Sequence, residues 1–423
     1  MDQGNTAFLL ICSALVLLMT PGLAFFYGGL VKAKSVISMM MLSFGAMGLV
    51  GVLWVLYGYA IAFSNAGVGN FVGIDGVIGI DLDQIGLQGA YNEAISGAIT
   101  TSHPTLAFAS FQATFAIITV ALISGAIADR AKFGAWLIFA GVWVTVVYFP
   151  VASWVFNFTV TDGVVTDGGF LAYNMGVIDF AGGTAVHINA GAAALALALV
   201  LGKRVNFAKG MHKPHNPPFV LLGAGLLWFG WFGFNAGSEL AADGIASVAF
   251  LNTIAAPAAA ILGWLLVEKI KDGKPTSVGA ASGAVAGLVA ITPACAVLTP
   301  FWAIVLGLIA GVVCAVAIDL KYKLGFDDSL DVVGIHLVGG VIGTLYIGLL
   351  GTNVGLFFGD GFKQLGVQAA SAGIVLVYSF VLSFAIAWII EKTMGFRVKN
   401  EDEIAGIDTV VHGEEGYILE EVR

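Results

Sequence analysis

His187 and His336 each stand in the middle of a long apolar stretch, in DFAGGTAVHINA and DVVGIHLVGG. Imidazole takes up and releases a proton near neutral pH, and an ionisable ring at membrane depth is costly enough to mark a substrate or proton path. Two such rings can relay a proton, or they can serve as axial ligands to a haem. Asp179 opens the first of the two segments. A carboxylate there can cap free helix N–H groups or set negative charge where a cation arrives. A second group is aromatic: Phe111 with Phe115, Trp154 with Phe156, and Trp231 and Phe234 just ahead of Ser238 in WFGFNAGS. Membrane-interface belts favour Trp and Tyr, whereas Phe115 and Phe234 are purely apolar rings that suit a hydrophobic constriction. The three cysteines, Cys12, Cys295 and Cys314, lie in apolar stretches without metal-ligand spacing. With no hydrolytic triad, phosphate loop or cysteine-rich metal site in the sequence, the chain is expected to be no enzyme and to need no cofactor.

Membrane helices must position these residues. Hydrophobic residues make up 59% of the 423 and charged residues 11%, with a mean hydropathy of +0.95; a soluble domain carries roughly 25% charged residues. No water-facing surface can be built from that composition. The 57 glycines follow no Gly-X-Y period, and small residues let membrane helices approach closely. A span needs about 20 apolar residues. Eleven such runs are read, at roughly 6–27, 36–63, 104–127, 134–157, 182–201, 218–236, 245–267, 278–296, 301–320, 330–351 and 367–391. The head of the first, MDQGNT, lacks the positive region of a signal peptide, so it is read as a retained span. The expected fold is an all-α membrane protein, with a transmembrane domain at 1–395 and a polar tail at 396–423.

Charge placement orients the spans. With the amino terminus outside, Lys32, Lys34, Arg130, Lys132, Lys203, Arg204, Lys209, Lys213, Lys269, Lys271, Lys274, Lys321, Lys323, Lys392, Arg397, Lys399 and Arg423 fall inside, and only Lys363 falls outside. The outer connections carry Asp75, Asp81, Asp83, Glu93, Asp162, Asp167, Glu239, Asp243 and Asp360. This is the positive-inside pattern. Five spans precede the central basic connection, so two related halves, about 1–202 and 203–351, would insert in opposite orientations as inverted repeats, with the eleventh span outside them. Each histidine follows an acid near its span's start, Asp179 or Asp327, by about nine residues, or ~13 Å at the helical rise. Entering from opposite faces, the two rings are expected to meet near the midplane.

Several blocks then carry a resemblance. FFYGG (25–29), FQATFAIIT (111–119), DFAGGTAVHINA (179–190), KPHN (213–216), WFGFNAGS (231–238), TPAC (292–295) and DVVGIHLVGG (331–340) resemble the Amt/Mep/Rh family of ammonium transporters, in its prokaryotic Amt type. The resemblance implies eleven spans in a homotrimer with one pore per subunit. It matches Phe115 and Phe234 to a stacked gate and Ser238 to the hydroxyl that accepts a hydrogen bond from ammonium. His187 and His336 match twin pore histidines, Asp179 the acid beside the recruitment site, and Trp231 and Thr292 further pore-lining positions. One position departs. The family's vestibule usually has a tryptophan after the proline of the fourth span, and a gap-free count from Pro150 puts Phe156 there. Phenylalanine makes a weaker cation–π contact. Trp154 lies two residues earlier, on nearly the opposite side of a helix, and a long polar insert, 157–173, follows.

The expected function is uptake of ammonium or ammonia across the cytoplasmic membrane: recruitment at an outer aromatic and serine site, deprotonation, passage of ammonia by the Phe gate and twin histidines, and relay of the proton. The tail's GIDTVVHGEEGY resembles the cytosolic tail that helps dock a PII-type signalling protein. Membrane lipids are the other expected partner, and no nucleic acid. His103, His212, His215 and His412 are expected to lie apart from the pore. An ammonium sensor with little transport and a membrane haem electron carrier are the alternatives, and sodium-coupled transport would show as sodium dependence.

Overall fold

The computed structural model describes residues 1–66, 69–99, 101–161, 164–205, 207, 213–359 and 361–417. Asp162, Lys209, His212, Asp360 and Arg423 lie outside the described residues. Among the described residues, ten helices are long and apolar enough to cross a membrane: α1 (Gln3–Leu30), α2 (Ala33–Ala62), α3 (Thr105–Ile127), α4 (Phe133–Phe156), α5 (Gly183–Leu201), α6 (Pro217–Gly237), α7 (Gly244–Lys271), α9 (Pro300–Leu324), α10 (Val333–Leu350) and α11 (Lys363–Thr393). A shorter apolar helix, α8 (Ser277–Ile291), stands between α7 and α9. Each expected span corresponds to one of these helices.

Local chemistry sets where the helices begin. Asp2 accepts a hydrogen bond from the Asn5 N–H at 2.8 Å, Asn216 from Phe219 at 3.1 Å, and Asp243 from Ile245 and Ala246 at 2.9 and 3.0 Å. A short polar side chain ahead of an apolar run thus satisfies donors that have no intrahelical acceptor. Pro217 and Pro218 occupy the first turn of α6, where a missing N–H costs nothing. Packing then uses the glycines as expected. A Cβ on Gly223 of α6 would lie 2.2 Å from the Phe26 nitrogen of α1, and one on Gly307 of α9 would lie 2.0 Å from the Ala256 oxygen of α7. Those helices touch backbone to backbone.

The connections are built rather than loose. Strands β1 (Phe71–Ile74) and β2 (Ile78–Asp81) form one antiparallel hairpin, and β3 (Phe158–Thr161) with β4 (Val164–Gly168) forms a second. The second is the polar insert noted above. It is held to the first by the Phe170 N–H on the Gly76 carbonyl at 3.0 Å, and the Trp154 indole N–H of α4 donates to the Val77 carbonyl of the first at 2.5 Å.

At the opposite face, where the tail lies, a buried charge cluster ties three connections together. Asp327 pairs with Arg204 at 2.9 Å and approaches Arg130 at 3.7 Å. Burial alone would push the Asp327 carboxyl up; Arg204 and Arg130 outweigh it and hold it below the usual range. Arg130 is wholly buried, which lowers its guanidinium to about 10 despite Asp327. The Val398 N–H donates to the Arg130 carbonyl at 2.9 Å, so the tail joins the cluster.

Candidate conduction pathway

His187 and His336 both stand on π-helical turns, Gly183–Ile188 at the start of α5 and Val333–Leu337 at the start of α10. Such turns re-aim side chains and concentrate at functional sites. Each start is held by one carboxylate. Asp179 accepts from the N–H groups of Gly182, Gly183, Thr184 and Ala185 at 2.8, 2.5, 2.8 and 3.2 Å, and from the Thr184 hydroxyl. Asp328 accepts from Val332 and Val333 at 3.1 and 2.7 Å. Here the structure corrects the sequence: the acid matching Asp179 is Asp328, eight residues ahead of its histidine just as Asp179 is (179 to 187, 328 to 336). Asp327, one position earlier, points to Arg204 and Arg130 instead. Burial pushes the Asp328 carboxyl up to about 6, with Lys321 acting against it.

The two helices run in opposite directions. α5 ends at the tail face, where the Leu201 carbonyl accepts from Arg397 at 3.0 Å, and α10 begins there, just after the Asp327 cluster. The histidines therefore meet, with their Nδ1 atoms 3.2 Å apart and their ring centroids 5.3 Å apart at 23°. His187 is 1% exposed and His336 3%. One Nδ1 donates and the other accepts, and the Nε2 of His187 has no hydrogen-bond partner.

Towards the other face the rings continue. Trp231 lies on His187 at 5.5 Å and 21°, its indole N–H donating to the Thr292 hydroxyl at 2.8 Å. Thr292 in turn donates to the Leu288 carbonyl at 2.8 Å. Phe234 and Phe115 come next, 4.3 Å apart and both buried, with Phe111 edge-on to Phe115 at 4.8 Å. Phe156 meets Phe115 edge-on at 6.4 Å and is partly exposed. Ser238 donates its one proton to the Phe234 carbonyl at 2.8 Å, so its lone pairs are left for an arriving donor. Trp154 turns away, packing on Phe170 and Tyr378 at 5.0 and 4.6 Å.

Beside the histidines lies an enclosed apolar chamber of about 10 Å³, lined by His187, His336, Trp231, Phe234, Phe26 and Met19 among others. That is room for one water-sized molecule. Farther on, an open vestibule of about 450 Å³ carries Leu30, Ser329 and Asp331 on its wall. Sequence reading missed Asp328 and the chamber's apolar lining. The eight-residue spacing to the histidine could have found Asp328, whereas Met19 or Leu23 looks like any other apolar position of a span. His103 stacks on Phe108, His412 packs on Phe133, and His215 bridges the Val31 carbonyl and the Tyr417 hydroxyl. None of these three lines the chamber.

Comparison with known proteins bears on the family and the fold. The family described as Ammonium Transporter Family matches residues 7–417. An ammonium transporter of Mycobacterium tuberculosis is 55% identical, covering 98% of this chain and 90% of its own length. One of Bacillus subtilis is 44% identical, covering 99% of each chain. Among solved structures, Saccharomyces cerevisiae Mep2 superposes with a TM-score of 0.81 at 32% identity, covering 95% of this chain and 91% of that one. A structure titled Sensor Amt Protein reaches 0.87 at 27% identity, covering 97% and 98%. The chain, with its line of serine, paired phenylalanines and facing histidines, belongs to the ammonium transporter family, and its function is ammonium transport.

Proposed function

We propose that the chain takes up ammonium nitrogen across the cytoplasmic membrane as one subunit of a homotrimer, with a pore in each subunit, the amino terminus outside and the tail in the cytosol. The observation that carries the mechanism is the order of groups: the free acceptor of Ser238, the closed pair Phe115 and Phe234, then the hydrogen-bonded His187 and His336. Ammonium donates an N–H to Ser238 while the faces of Phe156 and the neighbouring rings favour its charge. Potassium has no N–H to donate, which is the basis of discrimination.

A charge at the bilayer centre costs roughly 2.5–3.5 kcal/mol even on the mildest scale. The cation therefore gives up its proton before the apolar chamber and crosses as ammonia. Phe115 and Phe234 swing apart to admit it, since their rings fill the path at rest. The proton travels separately. It binds one imidazole, the hydrogen on the shared line shifts from one Nδ1 to the other, and the second ring releases a proton on the far side, where ammonia takes it back. Nothing is consumed, and one charge crosses per ammonium. Trp231, fixed by Thr292, keeps His187 flat against the path. Asp179 holds the start of α5 and adds negative charge near the recruitment site. A PII-type protein docks at the cytosolic face through the tail.

Purified protein in proteoliposomes under an ammonium gradient should carry an inward current and take up labelled methylammonium, and His187→Ala and His336→Ala should each abolish the current. Ammonia equilibrating without any current would overturn the relay. No methylammonium uptake by wild type would favour the sensor reading.

A further inference from the structure

Each pore histidine is followed four residues later by a glycine, in HINAG (187–191) and HLVGG (336–340). The two glycines receive one another's helices. A Cβ on Gly191 would lie 2.6 Å from the nitrogen and Cβ of Leu337 and 2.7 Å from its Cα, beside His336. A Cβ on Gly340 would lie 3.1 Å from the Cβ of His187, from Cγ1 of Ile188 and from the Gly183 oxygen. In each half of the molecule the glycine one turn past the histidine thus makes room for the histidine-bearing turn of the other half.

We infer that Gly191 and Gly340 are positioning residues whose missing side chains set the crossing distance of α5 and α10, and through it the contact between the two imidazoles. The contact is 3.2 Å, and N–H···N geometry weakens steeply once a few tenths of an ångström are added. The two positions differ in tolerance. Gly340 meets mainly side-chain atoms at 3.1 Å, which can yield slightly, whereas Gly191 meets the backbone of Leu337 and can accept a methyl only if α10 moves. Neither glycine touches the cargo, so their effect is on proton transfer rather than on recruitment.

This inference rests on the proton relay proposed above, and the test separates the two. Gly339 is the control: it is the neighbour of Gly340 on the same helix, and a Cβ there would lie 3.0 Å from Val289 of α8, facing away from His187. Current and labelled methylammonium uptake are measured on the same proteoliposomes, since their ratio is independent of how much protein folded. Wild type and Gly339→Ala should share one ratio. Gly340→Ala should lower it by about two- to tenfold, the worth of one hydrogen bond, and Gly191→Ala should lower it further. In parallel, nitrogen-15 shifts of the imidazoles should report the shared Nδ1 hydrogen in wild type and Gly339→Ala, and its loss in Gly340→Ala. An unchanged ratio and unchanged shifts in Gly340→Ala would overturn the inference. If wild type carried no current, the relay would fall, and the nitrogen shifts alone would decide the positioning.

Discussion

At the scale of single residues, the proposed recruitment site turns on Ser238. Its one proton is committed to the Phe234 carbonyl at 2.8 Å, so it can only accept. The next residue in the chain is Glu239. Burial and the nearby Asp243 push that carboxyl up to about 7. Below about 7 it is neutral, and above it a negative charge stands beside the serine and concentrates cations. The apparent affinity for methylammonium should therefore strengthen as pH rises from 6 to 8, by about two- to fivefold for a charge at this range. Glu239→Gln should remove the dependence. Measuring the KM of uptake across that window checks it, and an equal slope in the variant would exclude Glu239.

At the scale of elements, α5 and α10 depend on carboxylates that cap their first turns. Asp179 satisfies four backbone donors and a hydroxyl, Asp328 two backbone donors. A donor left unpaired away from water costs about 1–3 kcal/mol. Asp179→Ala should therefore lose yield and thermal stability, with a smaller loss for Asp328→Ala. Asparagine keeps one of the two acceptor oxygens and turns an amide donor on the other's partners, so Asp179→Asn should lose less stability than Asp179→Ala and retain most transport. Should Asp179→Asn melt like wild type and yet fail to transport, the charge rather than the cap is what transport requires. The π turns that follow these caps were not legible from hydropathy, because apolar pattern reports burial and not the hydrogen-bond register of a turn.

At the scale of the whole molecule, the tail acts as a clasp. Asp408 accepts from the N–H groups of Ile37 and Ser38 at 3.1 and 2.7 Å, capping α2 from 370 residues away in the chain. Glu403 accepts from Val205 at 2.7 Å and pairs with Arg397 at 2.7 Å. By composition this acidic segment looks merely solvated, yet it satisfies donors on two distant connections. Asp408→Ala should cost about 1 kcal/mol, the usual worth of a cap, and lower the melting temperature in detergent. Truncation after residue 397 should lower it further while leaving the KM for methylammonium unchanged, since no recruitment residue lies in the tail. A truncated protein that melts like the full chain would contradict the clasp.

The apolar spans and the family were legible from the sequence alone. A bilayer demands about 20 apolar residues per crossing and sorts basic connections to one side, and several motif blocks kept their order along the chain. The pairing of His187 with His336 was legible too, because their depth followed from counting along each span. The choice between Asp327 and Asp328 was not. Adjacent aspartates have identical chemistry, and only helix phase, with Arg130 and Arg204 waiting at one position, tells the ion-pair partner from the cap. Nor could the sequence single out Gly191 and Gly340 among 57 glycines. What a missing side chain makes room for is a property of the neighbouring helix, and that neighbour exists only once the two halves have crossed.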